Sequence, residues 1–277
     1  MFTEEAPGVF SVASQFVDGM NGVVIGTRGA VAIDCSNYLD EAESMATLIT
    51  ENGHAVDRLA LTHGHGDHVL GALPLIGGEV YAHRLTPAKI ASQLTRFAEK
   101  WETTEQDARS RLPWPTVTYS EELWLDLGDK HLWMFPTPGH SDDGVSIYVE
   151  EDRLLYSGDS VVNGIVAAIG DGDSRILETS LTRLLEVDIK VLVPGHGHTI
   201  EGRDAVQDWL TWQGGYLRAV RDKVREMLSD GASAAATAEA VTYGDFIGER
   251  LPVDRHGMPK RHRNTVDKIV QEELAPR

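Results

Sequence analysis

The stretch LTHGHGDHVLG, Leu61 to Gly71, sets His63, His65, Asp67 and His68 side by side, directly after the apolar run DRLALT. Folding does not require three imidazoles and a carboxylate at such density, and a solvated loop does not select for them. A tight turn at the end of a strand aims successive side chains in different directions. His63 and His65 can then address one point, and Asp67 and His68 a second point nearby. This restricts the fold, because two cations need more donors than four and other parts of the chain must return to this loop. Three further candidates stand at suitable places: His140 in TPGH, Asp159 in LLYSGDS and His196 in VLVPGHG. Each follows an apolar run and adjoins Gly or Pro, where loops present chemistry on a rigid frame.

The remaining pattern indicates what that frame is. VFSVASQF, GVVIGT and AVAIDC read as three early strands with glycine punctuation, and YLDEAESMATLITENG as an amphipathic helix closed by Gly53. DRLALT and EVYAH are strands on either side of the His loop. Residues 86–112 read as helical, with Pro87 in the first turn, and interrupt the strand rhythm as an insertion over about 86–115. ELWLDL, HLWMFPT, VSIYVE, RLLYSGD and KVLVPG continue as strands, with a helix near SRILETSLTRLLEV between the last two. From Arg203 onward the pattern is helical. Two strand groups with helices before, between and after them predict an α/β layered domain over residues 1–202 and a helical C-terminal extension, 203–277, packed on it.

Charge and composition exclude several functions. A net charge of −18 argues against extended nucleic-acid binding, which relies on basic patches. No run of eighteen apolar residues is present, so no membrane span is expected. MFTEEAPGVF has no basic segment followed by an apolar one, so no secretory signal is expected. The single cysteine, Cys35, fits a reducing cytoplasm and, in AVAIDCSN, reads as a buried structural thiol.

On these motifs the sequence resembles the metallo-β-lactamase superfamily of metallohydrolases, over about residues 8–200. THGHGDH is similar to the family's signature loop and TPGHSDDGVSIYV to the segment carrying the third ligand. SGDS is similar to the bridging-aspartate segment and PGHGH to the last ligand. The resemblance implies an αββα sandwich, two mixed sheets flanked by helices, with metals at one edge. It implies that His63, His65 and His140 hold one metal, that Asp67, His68 and His196 hold a second, and that Asp159 bridges them. The implied cofactors are two divalent ions, zinc first; imidazole and carboxylate also suit iron or manganese. Two such ions can share a hydroxide of lowered pKa, and Asp67 is the candidate catalytic residue that orients it or relays its proton. His198 is the alternative to His196, but the family pattern sets the ligand directly after PG. Thr62 and Asp34 are expected to orient ligands. His54, His83, His131, His256 and His262 read as surface or structural.

Retention of Asp159 favours the glyoxalase II-like and lactonase-like branches over the classical zinc β-lactamases. The expected function is hydrolysis of a small-molecule ester, lactone, thioester or amide, with no nucleic-acid or membrane partner. The alternatives are a mononuclear iron dioxygenase of persulfide type and a non-catalytic binding protein on the same fold; the latter would be expected to have lost ligands. Phe97, Trp101 and Trp114 either form an apolar lid or pack the insertion on the core. Trp209, Trp212 and Tyr216, at helical spacing, read as core or as a homodimer contact. Asp142 and Asp143 read as turn caps, the alternative being rim charges that disfavour anionic substrates. MPKRHRN, Met258 to Asn264, is either a solvated helix start or a contact for an anionic substrate tail.

Overall fold

Period-two side-chain alternation sorts the strand residues into two interiors. A computed structural model describes residues 2–247, 250–251 and 255–275. Its first sheet runs in chain order: β1 (Phe2–Ala6), β2 (Val9–Ala13), β3 (Met20–Gly26), β4 (Gly29–Ile33), β5 (Arg58–Ala60), β6 (Glu79–His83) and β7 (Val117–Tyr119). Strands β1 to β4 pair antiparallel and β4 to β7 parallel. Between the parallel strands lie α1 (Leu39–Glu51), the short α2 (Gly66–Val69), α3 (Thr86–Ser92), α4 (Leu94–Lys100) and α5 (Glu105–Ser110).

The second sheet contains β8 (Leu123–Asp126), β9 (His131–Pro136), β10 (Val145–Val149), β11 (Leu154–Tyr156), β12 (Val191–Val193) and β13 (Ile200–Glu201), in spatial order β13-β12-β11-β10-β9-β8. Only β11 and β12 pair parallel in it, with α6 (Ser174–Leu185) as their crossover. The chain closes with α7 (Arg203–Ser229), α8 (Ala234–Ala240), α9 (Tyr243–Ile247) and α10 (Met258–Leu274).

Strand β4 is buried along its whole length. Val31 and Ile33 enter the core between the sheets, with Leu132, Met134 and Ile147. Ala30 and Ala32 face the other way, onto Met45 and Ile49 of α1. Helix α1 presents Ala42, Met45 and Ile49 at i, i+3 and i+7, which is why it lies on that face. Each large apolar side chain so buried contributes roughly 1.5–3 kcal/mol. A third core joins Phe135 and Tyr148 of the second sheet to Leu177, Leu181 and Leu184 of α6 and to Leu210, Leu217 and Val224 of α7. The N-terminus of α6 is capped by Asp173, whose carboxylate accepts from the Arg175 and Ile176 amides. The layers are helix, sheet, sheet, helix, the sandwich the motifs implied, with a helical C-terminal extension.

Several local expectations change. The 86–112 region, read as helical, divides into three short helices. Strands β1, β7 and β13 were not expected. Trp209, Trp212 and Tyr216 pack into the third core, where the Trp209 indole donates to Val162 O and the Tyr216 hydroxyl to His262 Nδ1. Phe97 is buried, with Trp101 and Trp114 packed behind it, so these aromatics fasten the insertion to the core. Cys35 is fully buried; burial and the neighbouring Asp34 carboxylate push its thiol pKa up, consistent with an inert thiol. No helix among the described residues is long and apolar enough to cross a membrane. The ends of β5, β9, β11 and β12 bring four distant loops to one edge of the two sheets, and these loops carry the clustered His and Asp residues.

Candidate metal centre

All seven candidate ligands meet at that edge. Within His63–His65–His140, within His63–His68–Asp159 and within Asp67–His68–His196, the donor atoms lie inside 4.8 Å of one another. The sets share members, so this is one continuous centre. It is largely dry: His63, His68, His140, Asp159 and His196 are buried, and His65 and Asp67 are partly open to solvent. Glycines let the carboxylate in. A Cβ on Gly195 would stand 2.0 Å from Asp159 Oδ1.

The tautomer of each ring follows from its partner, because carbonyl and carboxylate oxygens only accept. His68 Nδ1 donates to Asp34 Oδ2 at 2.8 Å. His140 Nδ1 donates to Ala168 O at 2.6 Å and His196 Nδ1 to Val17 O at 2.9 Å. His65 is turned the other way, with Nε2 donating to Asp171 Oδ2 at 3.0 Å. Thr62 Oγ1 donates to Asp34 Oδ2 at 2.6 Å and therefore accepts from His63 Nδ1 at 3.1 Å. Every ring is thus anchored by one nitrogen and turns the lone pair of the other inward.

Inward acceptors outnumber their donors. His65 Nδ1 and His140 Nε2 face each other at 2.8 Å, each with its proton committed elsewhere. His63 Nε2, His68 Nε2 and Asp159 Oδ1 are buried with no hydrogen-bond partner. His68 Nε2 and Asp159 Oδ1 are 3.2 Å apart, but not in hydrogen-bond geometry. His196 Nε2 lies 3.2 Å from Asp67 Oδ2 and 3.4 Å from Asp159 Oδ2. Converging lone pairs and carboxylates are stable only around positive charge. Without cations that charge must be protons, and the electrostatics show where. Burial opposes charging His196, but Asp159 and Asp67 outweigh it and raise its pKa to about 10. His68 is raised likewise, burial being overcome by Asp159 and Asp34. Burial and the neighbouring imidazoles of His68 and His65 hold His63 well below the usual range. Burial would push Asp67 and Asp159 up, but the surrounding histidines hold both carboxyls below the usual range. Five imidazoles and two carboxylates with inward lone pairs fit divalent cations of borderline hardness.

Residues that the sequence reading left out, or read in another role, brace the loops. Asp171 anchors His65 and is itself paired with Lys89 Nζ at 3.0 Å. Lys89 also pairs with Asp142 at 3.1 Å. Asp143, expected to cap a turn or to add charge at the rim, accepts from the Gly64 amide at 2.9 Å and from Ser141 Oγ at 2.8 Å, tying the His140 segment to the His63–His68 loop. The Gly64–Asp143 and His65–Asp171 contacts span 79 and 106 residues and leave no local signal. Asp34 and Thr62 stand where orientation of ligands requires. His198 is exposed and outside the clustered donors. Of the basic run, Met258 and His262 are buried, whereas Lys260, Arg261 and Asn264 line a separate pocket beside Ala168–Gly170.

The sequence profile of the metallo-beta-lactamase superfamily matches residues 18–196, well over half of the chain and all seven clustered residues. The chain belongs to the metallo-β-lactamase superfamily. Within it, a hydroxyacylglutathione hydrolase of Francisella tularensis subsp. novicida is 26% identical over 211 residues, covering 75% of each chain. A metallo-beta-lactamase from Pontibacter korlensis superposes with a TM-score of 0.58 at 22% identity, over 76% of this chain and 98% of that one. A stereoselective inverting sec-alkylsulfatase from Pseudomonas sp. superposes with a TM-score of 0.73 at 15% identity, over 99% of this chain; this chain spans 50% of its length. These superfamily relatives are named as hydrolases, and the chain is an enzyme of that kind.

Proposed function

We propose that this superfamily member is a dinuclear metal hydrolase of small acyl compounds, thioesters first and esters, lactones and amides with them. The observation that carries the proposal is the set of inward lone pairs, each fixed by an outward anchor. His63, His65 and His140 would hold one ion, Asp67, His68 and His196 the other, with Asp159 between them. When bound, such ions supply a nucleophilic hydroxide near neutral pH and Lewis acidity for the substrate oxygen. Zinc suits this donor set best, with iron and manganese as alternatives.

The chain's own residues do the positioning. Asp34, Thr62, Ala168, Val17 and Asp171 lock the five rings, so no reorganisation is needed when charge develops. Asp67 is the cluster's more exposed carboxylate and is held ionised, so it can orient a water by accepting its hydrogen bond. Thioesters are placed first because the Francisella relative is named for an acyl-glutathione, whose acyl group is bonded through sulfur. The substrate is a small molecule, and a cytoplasmic setting suits the single buried thiol.

Proton release by the metal-loaded protein against thioesters, lactones, esters, β-lactams and phosphodiesters tests this. Thioester turnover, reduced about 100-fold or more in Asp67→Ala, is the expected result. Silence across the panel with metal bound, and oxygen uptake with persulfides instead, would replace hydrolysis with the dioxygenase reading.

A further inference from the structure

A pocket of about 310 Å³ opens directly beside the centre and shares His65 and Asp67 with it. Its far wall carries Arg96 and Lys100, four residues apart on α4 and therefore on one face of that helix. Between the two ends the lining is apolar, from Phe16, Leu70 and Phe97. The wall is rigidly tied to the metal loop. Phe97 is buried against Gly66, and the Gln93 amide donates to Gly64 O at 2.8 Å. Lys100 is steadied by Asn37 Oδ1 at 3.1 Å.

Among the described residues no carboxylate forms an ion pair with Arg96 or Lys100. Arg28, Arg153, Arg221 and Lys130, by contrast, are each paired with a carboxylate. Here two like charges stand together; burial and the Arg96 charge push the Lys100 ammonium down, against the opposing pull of the Asp67 carboxylate. Such a pair attracts an anion, and the anion's natural source is whatever occupies the pocket.

We propose that Arg96 and Lys100 form an anion subsite, so that the enzyme takes acyl compounds with a carboxylate separated from the reacting carbonyl by a short apolar stem. The inference rests on the hydrolase reading for its reacting end and adds charge selectivity to it. Arg96 offers a fork for a carboxylate, Lys100 a point charge, and the Phe16–Leu70–Phe97 surface the stem contact. Because both cations are exposed, the selectivity should be moderate.

The test uses S-acetyl ω-mercaptocarboxylates with one to five methylenes, each beside its methyl ester, on the metal-loaded full chain. At the best length the acid should exceed its ester about tenfold in kcat/KM, mainly through KM. The ratio should fall to about one in the Arg96→Gln/Lys100→Gln double variant and survive in Arg96→Lys. It is read within each protein, so a loss common to both substrates does not count. A wild-type ratio near one, or a ratio kept in the double variant, overturns the subsite. If no thioester is cleaved, the hydrolase reading fails separately. The matching ketones, with methylene in place of sulfur, then decide the subsite by calorimetry. Tighter binding of the keto acid than its ester, lost in the double variant, supports the subsite. Equal binding to both proteins overturns it.

Discussion

Thr62→Val isolates one link of the ring-locking scheme. Valine keeps the shape of threonine and removes only the hydroxyl, which sits between Asp34 Oδ2 at 2.6 Å and His63 Nδ1 at 3.1 Å. Asp34 still accepts from His68 and from the residue 62 amide. His63, 1% exposed, is left with a buried Nδ1 proton and no acceptor. An unmatched buried donor costs roughly 1–3 kcal/mol. The ring escapes that cost by moving its proton to Nε2, which points into the centre and is the atom needed for a cation. Holding the cation-binding tautomer then takes about 2 kcal/mol, or about thirtyfold in the affinity of the ion that His63 would share with His65 and His140. Thr62→Ser, which retains the hydroxyl, should stay within a few-fold of wild type. Competition with a chromogenic chelator, resolving two binding steps, measures both. Two steps of wild-type affinity in Thr62→Val, or equal losses in Ser and Val, would refute the reasoning.

Asp171→Ala removes the analogous anchor from His65, but Asp171 is about half exposed, so the loss should be only about threefold in the same chelator assay. Gly195→Ala puts a methyl 2.0 Å from Asp159 Oδ1; the carboxylate must move, and metal content should fall below half of wild type by elemental analysis, while Gly215→Ala, in open space on α7, should change nothing. Burial lowers the His262 pKa below its ordinary 6.5. The folded chain therefore binds fewer protons there than the unfolded one, and stability is lost as pH falls below that ordinary value, levelling once the folded pKa is passed. His262→Gln, which offers a donor and an acceptor without titrating, should flatten part of the melting-temperature drop between about pH 7 and pH 5.

What was readable from sequence follows from where the information lies. His63, His65, Asp67, His68, His140, Asp159 and His196 end apolar strands or follow them closely, so strand pattern and motif pointed to one edge, where the structure gathers them. Helices α1 and α6 carry their buried residues at i, i+3/i+4, i+7, and were read with nearly their observed ends. Strand β1 is FTEEA, polar and largely exposed, and exists because β2 pairs with it. Strands β7 and β13, of three and two residues, are too short to show a period and are likewise defined by their neighbours. Helix α2 is a single turn inside the ligand loop. The bracing roles of Asp171, Lys89 and Asp143 were missed because their partners lie far along the chain and an acidic turn looks the same whether or not it braces a histidine. The pocket wall was half visible: Phe97 was noticed, whereas Arg96 and Lys100 on the same helix acquire meaning only once α4 is docked beside His65 and Asp67.

The central claim is that seven converging side chains hold two cations. Native mass spectrometry of the full chain after reconstitution with zinc reads this directly. The account predicts a species carrying two ions, reduced in Asp159→Asn, whose loss of charge affects both positions. A species carrying one ion at saturation, or none, would contradict it.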